Sequence, residues 1–226
     1  MKRFVLGALT LLVVAGLVSL GVWQLERRQW KLALIEQVDR RLAAAPAPAP
    51  GPALWPRIAR SDAYTRVTVR GSFRNDRETL VQAVTELGPG FWVLAPLVTD
   101  RGFTVLVNRG FVPTGRKSWA RDAAPVTITG LLRISEPKGG FLRSNDPAAG
   151  RWYSRDVAAI AAAKSLGTVA PYFIDADATS TTTWPRAGLT VIAFPNNHLQ
   201  YALTWFTMAA LLAGVSLRMA LRRKAA

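Results

Sequence analysis

The chain lacks cysteine and contains a single histidine, His198, among its 226 residues. Without cysteine it has no disulfide framework, no thiolate metal site and no iron–sulfur cluster. A Cys–His catalytic pair is excluded, and a Ser–His–Asp triad would have to use His198. Acidic residues are also scarce, with 14 against 29 lysines and arginines. Because these basic residues are mostly scattered, with no basic block before the C-terminal tail, the sequence does not indicate a nucleic-acid-binding protein.

Two long uncharged runs lie near the ends of the chain, at residues 4–25 and 199–217. About 20 apolar residues suffice to cross a bilayer, so both runs predict transmembrane helices. A cleaved signal peptide is the alternative for the first run. Its apolar stretch exceeds the usual ~7–15 residues and no small-residue cleavage site follows directly, which favours an uncleaved anchor.

Small residues spaced i, i+4 in the two runs would allow the helices to pack closely. They are Ala15 and Ser19 in the first run, and Ala210 and Gly214 in the second. The first run leaves the membrane near Trp23 and Gln24 and the second enters it near His198, so the three residues are expected at the same depth. If the two helices pack, these residues are candidates for one shared site.

The flanking basic residues predict the orientation of the second helix. It is followed by Arg218, Arg222, Arg223 and Lys224, and residues 187–198 before it contain no lysine or arginine. The C-terminus is therefore expected in the cytoplasm, or in the matrix of a mitochondrion. Since two spans place both termini on one side, residues 26–198 are expected to face the periplasm or intermembrane space.

The pattern predicts a membrane α+β protein, with two transmembrane helices flanking a mostly antiparallel, barrel-like β domain that contains one helix. We divide the chain into an anchor helix (1–25), a helical extension and Pro/Ala-rich spacer (26–57), a β-rich domain (58–195), a second membrane helix (196–217) and a basic tail (218–226). Strands are predicted at residues 64–70, 78–84, 91–99, 103–109, 125–132 and 188–194. The helix is predicted at 154–166, with Ser154 as its N-cap and Gly167 as its stop.

Catalytic motifs are few. Glu136, Asp146, Asp156, Asp175 and Asp177 cluster loosely in the second half, where structural roles in turns and caps are the favoured interpretation. Arg109 ends the strongest predicted strand. We favour a structural ion pair for it, with Asp156 as a candidate partner, over a clamp for a ligand.

His198 itself permits two interpretations. It can cap the start of the second membrane helix together with Asn196 and Asn197, the latter a good N-cap residue. It can also serve as a metal or haem ligand, since imidazole is the common proximal ligand of haem iron. The helical face through His198, Tyr201 and Trp205 would suit a flat ring, and it would suit lipid equally well.

Six motifs in order resemble the surfeit locus protein one family. They are GVWQLERRQWK (21–31), VLVNRGFVP (105–113), GLLRISEP (130–137), ND with WYSRD (145–156), PYFID (171–175) and NNHLQYALTWF (196–206). Phe111 stands where the family often has tryptophan, and the Pro/Ala spacer looks particular to this chain.

The resemblance implies an assembly factor for haem–copper cytochrome c oxidase and not an enzyme. It implies transient binding of haem a at the outer face of the bacterial inner membrane, with the iron ligated by His198. Trp23, Gln24, Tyr201 and Trp205 would line the ring. The implied partners are oxidase subunit I, haem a synthase and membrane lipid, without nucleic acid.

Two other functions remain open from the sequence. A haem-free scaffold that stabilises an oxidase intermediate would account for the large β domain and the lack of catalytic groups. A membrane-anchored hydrolase that uses the carboxylates near Asp146 and Asp156 is the remoter alternative.

Overall fold

A computed structural model of the chain describes residues 2–140, 142–178, 183–190, 192 and 194–222. The chain divides into two compact units. The helical unit joins Met1–Asp39 to Ala193–Ala226, and the β unit is Arg40–Ile192.

Two long helices form the helical unit. Helix α1 spans Lys2–Ala43, and helix α3 spans His198–Arg222. Both are long and apolar enough to cross a membrane. At 1.5 Å per residue α1 is about 63 Å long, roughly twice the hydrocarbon thickness. It therefore continues without a break through the charged residues that follow the apolar run, the segment for which the sequence predicts a helical extension.

The two helices pack through faces on which less exposed positions recur at alternating intervals of three and four residues. This spacing places side chains on one side of a helix. The faces comprise Thr10, Val14, Leu17, Gly21 and Gln24 of α1, and His198, Ala202, Trp205, Ala209, Leu212 and Ser216 of α3. The closest recorded approach is at Gly21, where an added Cβ would lie 2.5 Å from the ring of Phe206.

The predicted contact through other small residues is wrong. Ala15, Ser19, Ala210 and Gly214 are all exposed, and a Cβ at Gly214 would meet nothing within 4 Å. Their i, i+4 spacing marks one stripe on each helix, but it does not say which stripe faces the partner. In this structure Gly21, Ala202 and Ala209 supply the small buried positions instead.

The β unit is a closed, mostly antiparallel barrel. Five strands follow one another around it in the order β2–β6–β7–β5–β4, and β4 pairs again with β2 to close the ring. Strand β3 pairs antiparallel with β4, while β1 joins β2 and β7 joins β5 in parallel. The strands are β1 Ala47–Pro48, β2 Arg66–Phe73, β3 Thr79–Thr85, β4 Gly88–Thr99, β5 Thr104–Pro113, β6 Val126–Ile134 and β7 Val169–Ala176. This architecture, with its two candidate membrane helices, confirms the predicted fold class.

Closure of the barrel depends on Gly71. There β2 passes from β6 to β4, and a Cβ on Gly71 would lie 2.2 Å from the carbonyl oxygen of Val98. Only glycine allows the two backbones to come this close.

Strand β7 was not among the predicted strands. It contains Pro171, which cannot donate a ladder hydrogen bond and lowers the strand signal. The register between β5 and β7 shifts over this stretch, so the irregularity at the proline is absorbed by the pairing. Conversely, residues 188–194 were predicted as a strand, and the described residues among them, 188–190, 192 and 194, form none.

Helix α2, Val157–Ala163, packs on the barrel wall. Successive residues of β5 and β7 belong to opposite sides of that wall. Val105, Val107, Tyr172 and Ile174 belong to one buried cluster, and Leu106 and Phe173 to a second that includes Ile160 of α2. Because both faces of β5 are covered, the sequence of this strand is a nearly continuous run of apolar residues.

The Pro/Ala-rich segment is more than the spacer that the sequence predicts. Ala49 is buried against the barrel core. The carbonyl oxygen of Pro50 accepts hydrogen bonds from the Tyr172 hydroxyl at 2.7 Å and from the Trp55 indole at 3.0 Å. Burial raises the pKa of Tyr172, so this hydroxyl keeps its proton and remains a donor. The second half of the segment is therefore a packed element of the β unit.

Candidate functional site at the paired helices

The only histidine of the chain meets a glutamine of the other helix. The Nδ1 atom of His198 lies 2.7 Å from Oε1 of Gln24. His198 is the first residue of α3, and the helix begins with a hydrogen bond from the Tyr201 amide to the Asn197 carbonyl. Gln24 follows Gly21 by three residues on the face of α1 that packs against α3. The tight Gly21 contact therefore brings the two polar side chains together one turn further along.

The second ring nitrogen of His198 remains available. Within the described part of the chain, Nε2 has no recorded hydrogen-bond partner. A histidine with one nitrogen engaged and the other free has the arrangement that metal-binding histidines use. The described residues contain no cluster of three or more His, Asp or Glu that would hold a metal ion entirely by protein ligands.

The other residues predicted for the site lie on the same two helices. Trp23 is 52% exposed and precedes Gln24, and Tyr201 is 54% exposed and lies one turn after His198. Trp205 is half-buried, two turns after His198. No recorded contact within the described residues joins these rings to His198, so their role as a lining stays a prediction. What the structure brings together is His198 and Gln24.

Two half-buried basic residues continue the face of α1 beyond Gln24. Arg28 and Lys31 follow it by one and two turns, and the Lys31 ammonium lies 5.7 Å from the ring centre of Phe194. No carboxylate partner is recorded for either cation within the described residues. These positive groups lie near the aqueous end of the apolar run, close to the His198–Gln24 pair along the helix.

The surface beside His198 is open. A groove of about 660 Å³ runs along a neighbouring face of α3, lined by Asn196, Asn197, Leu199, Gln200, Leu203, Thr204, Thr207 and Met208. It includes none of the predicted site residues. The Oδ1 atom of Asn196 is buried there without a hydrogen-bond partner.

Sequence reasoning did not single out Gly21 or Phe206 as residues of the site. Both were contained in motifs, at the first position of GVWQLERRQWK and the last of NNHLQYALTWF. A glycine within an apolar helix is a signal of close approach by another helix. Phe206 is eight residues after His198, a spacing that returns to the same helical face.

Comparison with known proteins places the chain in a family. The model of the SURF1 family matches residues 11–210. This chain belongs to the SURF1 family. Surfeit locus protein 1 of Rattus norvegicus is 35% identical over 222 residues, which cover 88% of this chain and 71% of the relative. The human protein of the same name is 33% identical over 223 residues, covering 88% and 72%. A SURF1-like protein of Monosiga brevicollis is 34% identical over 213 residues, covering 85% and 79%.

The match to the SURF1 family includes α1 from residue 11, the whole β unit and α3 through residue 210. The His198–Gln24 pair lies inside it. The family resemblance drawn from the six motifs is thereby confirmed.

Within the β unit of this SURF1-family chain, Arg109 forms an ion pair, but not with Asp156. Its guanidinium lies 3.1 Å from Glu78 and 2.8 Å from Asp122, and it stacks over Phe73. The side chains of Arg109 and Glu78 are only 8% and 7% exposed. Glu78 precedes β3 and Asp122 lies in the β5–β6 connection, so the pair ties that connection to the barrel. Both partners are nearer to Arg109 in sequence than Asp156 is, and no local pattern marks them as its partners.

Asp156 does not pair with Arg109, and it has a capping role of the kind favoured for the acidic residues of the second half. Its carboxylate accepts a hydrogen bond from the Ala159 amide at 3.1 Å and is therefore the N-cap of α2. Ser154, the predicted cap, instead accepts hydrogen bonds from Gly139 and Asn145. The helix is consequently shorter at its start than the sequence indicates.

The remaining carboxylates have the contacts of structural residues. Asp146 accepts from the Ala149 amide and pairs with Arg151, whose hydrogen bond holds the pKa of Asp146 below its usual range. Asp175 is 3% exposed and accepts hydrogen bonds from Asn108, Arg133, Arg155 and Thr190. These hydrogen bonds join β7 to β5 through Asn108 and to β6 through Arg133, and so stabilise the barrel.

Proposed function

We propose that this SURF1-family chain is an assembly factor for haem–copper cytochrome c oxidase, which binds haem a on its paired helices and aids its insertion into oxidase subunit I. The observation that carries the proposal is the only imidazole of the chain, held between two candidate membrane helices, with no hydrogen-bond partner for Nε2 among the described residues. The oxidase role follows the resemblance of the six motifs. The chain would act as a carrier and not as an enzyme.

The residues at the helix pair are suited to haem. His198 Nε2 would hold the iron, since imidazole is the usual proximal ligand. Arg28 and Lys31 would pair with the propionates, because neither has a recorded carboxylate partner among the described residues. The exposed rings of Trp23 and Tyr201, together with Trp205, would cover the apolar macrocycle. Once bound, haem a supplies a redox-active iron for the oxidase that receives it.

The proposed location is the bacterial inner membrane, crossed twice. The two candidate membrane helices support a two-pass protein. The basic residues after the second span favour cytoplasmic termini and a periplasmic β unit. His198 then lies at the outer interface, where haem a synthase would supply the haem and subunit I would receive it.

Replacement of His198 tests the proposal. The wild type, purified from cells that make haem a, is expected to carry the absorption bands of haem a, while His198→Ala loses most of them. Asn197→Ala is the matched control, because it changes the neighbouring exposed residue at the helix start and leaves the imidazole in place. Equal haem in the wild type and His198→Ala would exclude His198 as the ligand. Loss of haem in Asn197→Ala as well would favour the helix-start role of this segment.

One observation favours the haem-free scaffold as a second candidate. The Trp184 ring lies within cation–π distance of Arg116 and Arg186, at 5.2 and 4.5 Å, and Lys117 follows Arg116. None of these three cations has a carboxylate partner within the described residues, whereas most arginines of the barrel are paired. We refer to these four residues as the basic–aromatic patch. Its uncompensated charge suits an acidic surface on a partner protein.

The patch yields a separate prediction. Arg116→Glu combined with Lys117→Glu is expected to abolish co-purification of unassembled subunit I, whether or not the purified chain carries haem. Arg57→Glu combined with Arg60→Glu is the matched control, since it makes the same charge change at two other exposed positions. Unaltered co-purification in the patch variant would rule out the patch as the docking surface.

A further inference from the structure

We propose that Gln24 is the positioning residue of the haem site, fixing the His198 ring in the tautomer that carries its proton on Nδ1 and leaves Nε2 as the iron ligand. The ligand role of Nε2 rests on the proposed function. The tautomer is a property of the haem-free chain and is tested without haem. The family resemblance implies that Gln24 lines the haem ring. In the structure its side chain contacts the imidazole of His198.

The hydrogen bond determines where the proton lies. The atom of Gln24 that faces Nδ1 is the amide oxygen, 2.7 Å away. A carbonyl oxygen only accepts, so Nδ1 must donate. A neutral imidazole has one N–H, and therefore Nε2 carries a lone pair. Metal-binding histidines are commonly held by such a second hydrogen bond, which fixes the tautomer and the orientation of the ring.

A glutamine and a carboxylate can both accept a hydrogen bond from Nδ1, and they differ in charge. The acidic residues of the helical unit are Glu26, Glu36 and Asp39. Glu26, the nearest in sequence to Gln24, lies two residues further along α1, about 200° around the helix, and is exposed. The partner of the imidazole is thus a neutral amide, which orients the ring through its carbonyl oxygen.

The pair is held in place by packing between the helices. Gly21 precedes Gln24 by one turn on α1, and Phe206 follows His198 by about two turns on α3. The Phe206 ring occupies the space where a Gly21 side chain would be, so the two helices fit together closely at this point. The position of Gln24 opposite His198 therefore follows from the fold and requires no ligand.

The single histidine makes the tautomer measurable in the complete protein. Full-length haem-free chain labelled with ¹⁵N-histidine gives one imidazole, whose protonated and bare nitrogens are distinguished by their chemical shifts. The measurement is made at about pH 9, well above the ordinary histidine pKa of about 6.5. The wild type is expected to carry its proton on Nδ1. In Gln24→Leu the proton is expected to move largely to Nε2, and haem a affinity is expected to fall about 10–100-fold.

Two further variants separate positioning from a general structural effect. Gln200→Leu makes the same chemical change at an exposed position near the start of α3 and should alter neither the tautomer nor the affinity. Gln24→Glu retains an acceptor and should keep the proton on Nδ1, which covers the case in which the leucine variant fails to fold. A proton on Nε2 in the wild type would overturn the inference, as would an unchanged tautomer in Gln24→Leu. If the wild type fails to bind haem but has the expected tautomer, the proposed function is refuted. The role of Gln24 in orienting the His198 imidazole would still stand.

Discussion

Replacing Asp175 by alanine is expected to destabilise the β unit by about 3–5 kcal/mol, the usual effect of removing one partner from a buried ion pair. Asp175 lies near the end of β7 and is 3% exposed. Arg133 and Arg155 both donate to it, and their side chains are only 15% and 14% exposed. Without the carboxylate, the two largely buried guanidinium groups share one carboxylate among the described residues, Glu136, which is 37% exposed. The loss also leaves the Asn108 amide without its acceptor.

Thermal unfolding of the full chain in detergent measures this effect. For a chain of this size each kcal/mol shifts the unfolding temperature by about 2–4 °C, so a decrease of roughly 6–20 °C is expected. Asp177→Ala is the matched control, because the Asp177–Arg66 pair, two residues further on, is about one-third exposed on both sides. Exposed pairs contribute about 1 kcal/mol or less. Equal decreases in the unfolding temperature of Asp175→Ala and Asp177→Ala would show that burial does not determine how much the ion pairs of Asp175 contribute to stability.

Replacing Gly21 by leucine is expected to separate the two helices and to abolish haem binding. The added Cβ alone would lie 2.5 Å from Phe206, and the rest of the leucine side chain would require the helices to move apart by roughly 2 Å. The hydrogen bond between Gln24 and His198, one turn away, would not survive this displacement. The same helix offers matched controls in Gly7→Leu and Gly16→Leu, since a Cβ at either glycine would meet nothing within 4 Å.

The absence of cysteine makes the helix separation measurable. Spin labels attached at Leu20→Cys and Leu203→Cys, both exposed positions, would report the distance between α1 and α3 without background labelling. That distance should increase in Gly21→Leu and remain unchanged in Gly16→Leu. If the distance and the bound haem are unchanged in Gly21→Leu, the contact with Phe206 does not hold the pair together.

Local patterns account for the elements that the sequence predicted correctly. The uncharged runs are long enough to predict helices of membrane-spanning length, and the residues of five strands alternate or are apolar strongly enough to be recognised. The sequence does not predict β7, because Pro171 weakens its local signal. It does predict a strand at residues 188–194 from their apolar pattern, but the described residues of this segment pair with no other strand. Local composition cannot reveal whether a partner strand is available.

The sequence predicted less well which charged side chains form ion pairs with one another. Arg109 was correctly expected to form an ion pair, yet its partners are Glu78 and Asp122 and not Asp156. Asp156 is instead used locally, as the N-cap of α2. Many pairings of 29 basic with 14 acidic residues are chemically equivalent, and only the closure of the barrel selects among them.

By itself the sequence determined that the chain has two membrane-length helices around a β-rich domain, that it belongs with the surfeit locus proteins, and that His198 is its only imidazole. The tertiary structure decided which faces of the helices meet, and so that Gln24 contacts the histidine while Trp23 and Tyr201 remain exposed. The reason is steric. Two helices can pack through several stripes of small residues, and the fit of Phe206 against Gly21 selects one of them, which fixes the residue opposite His198.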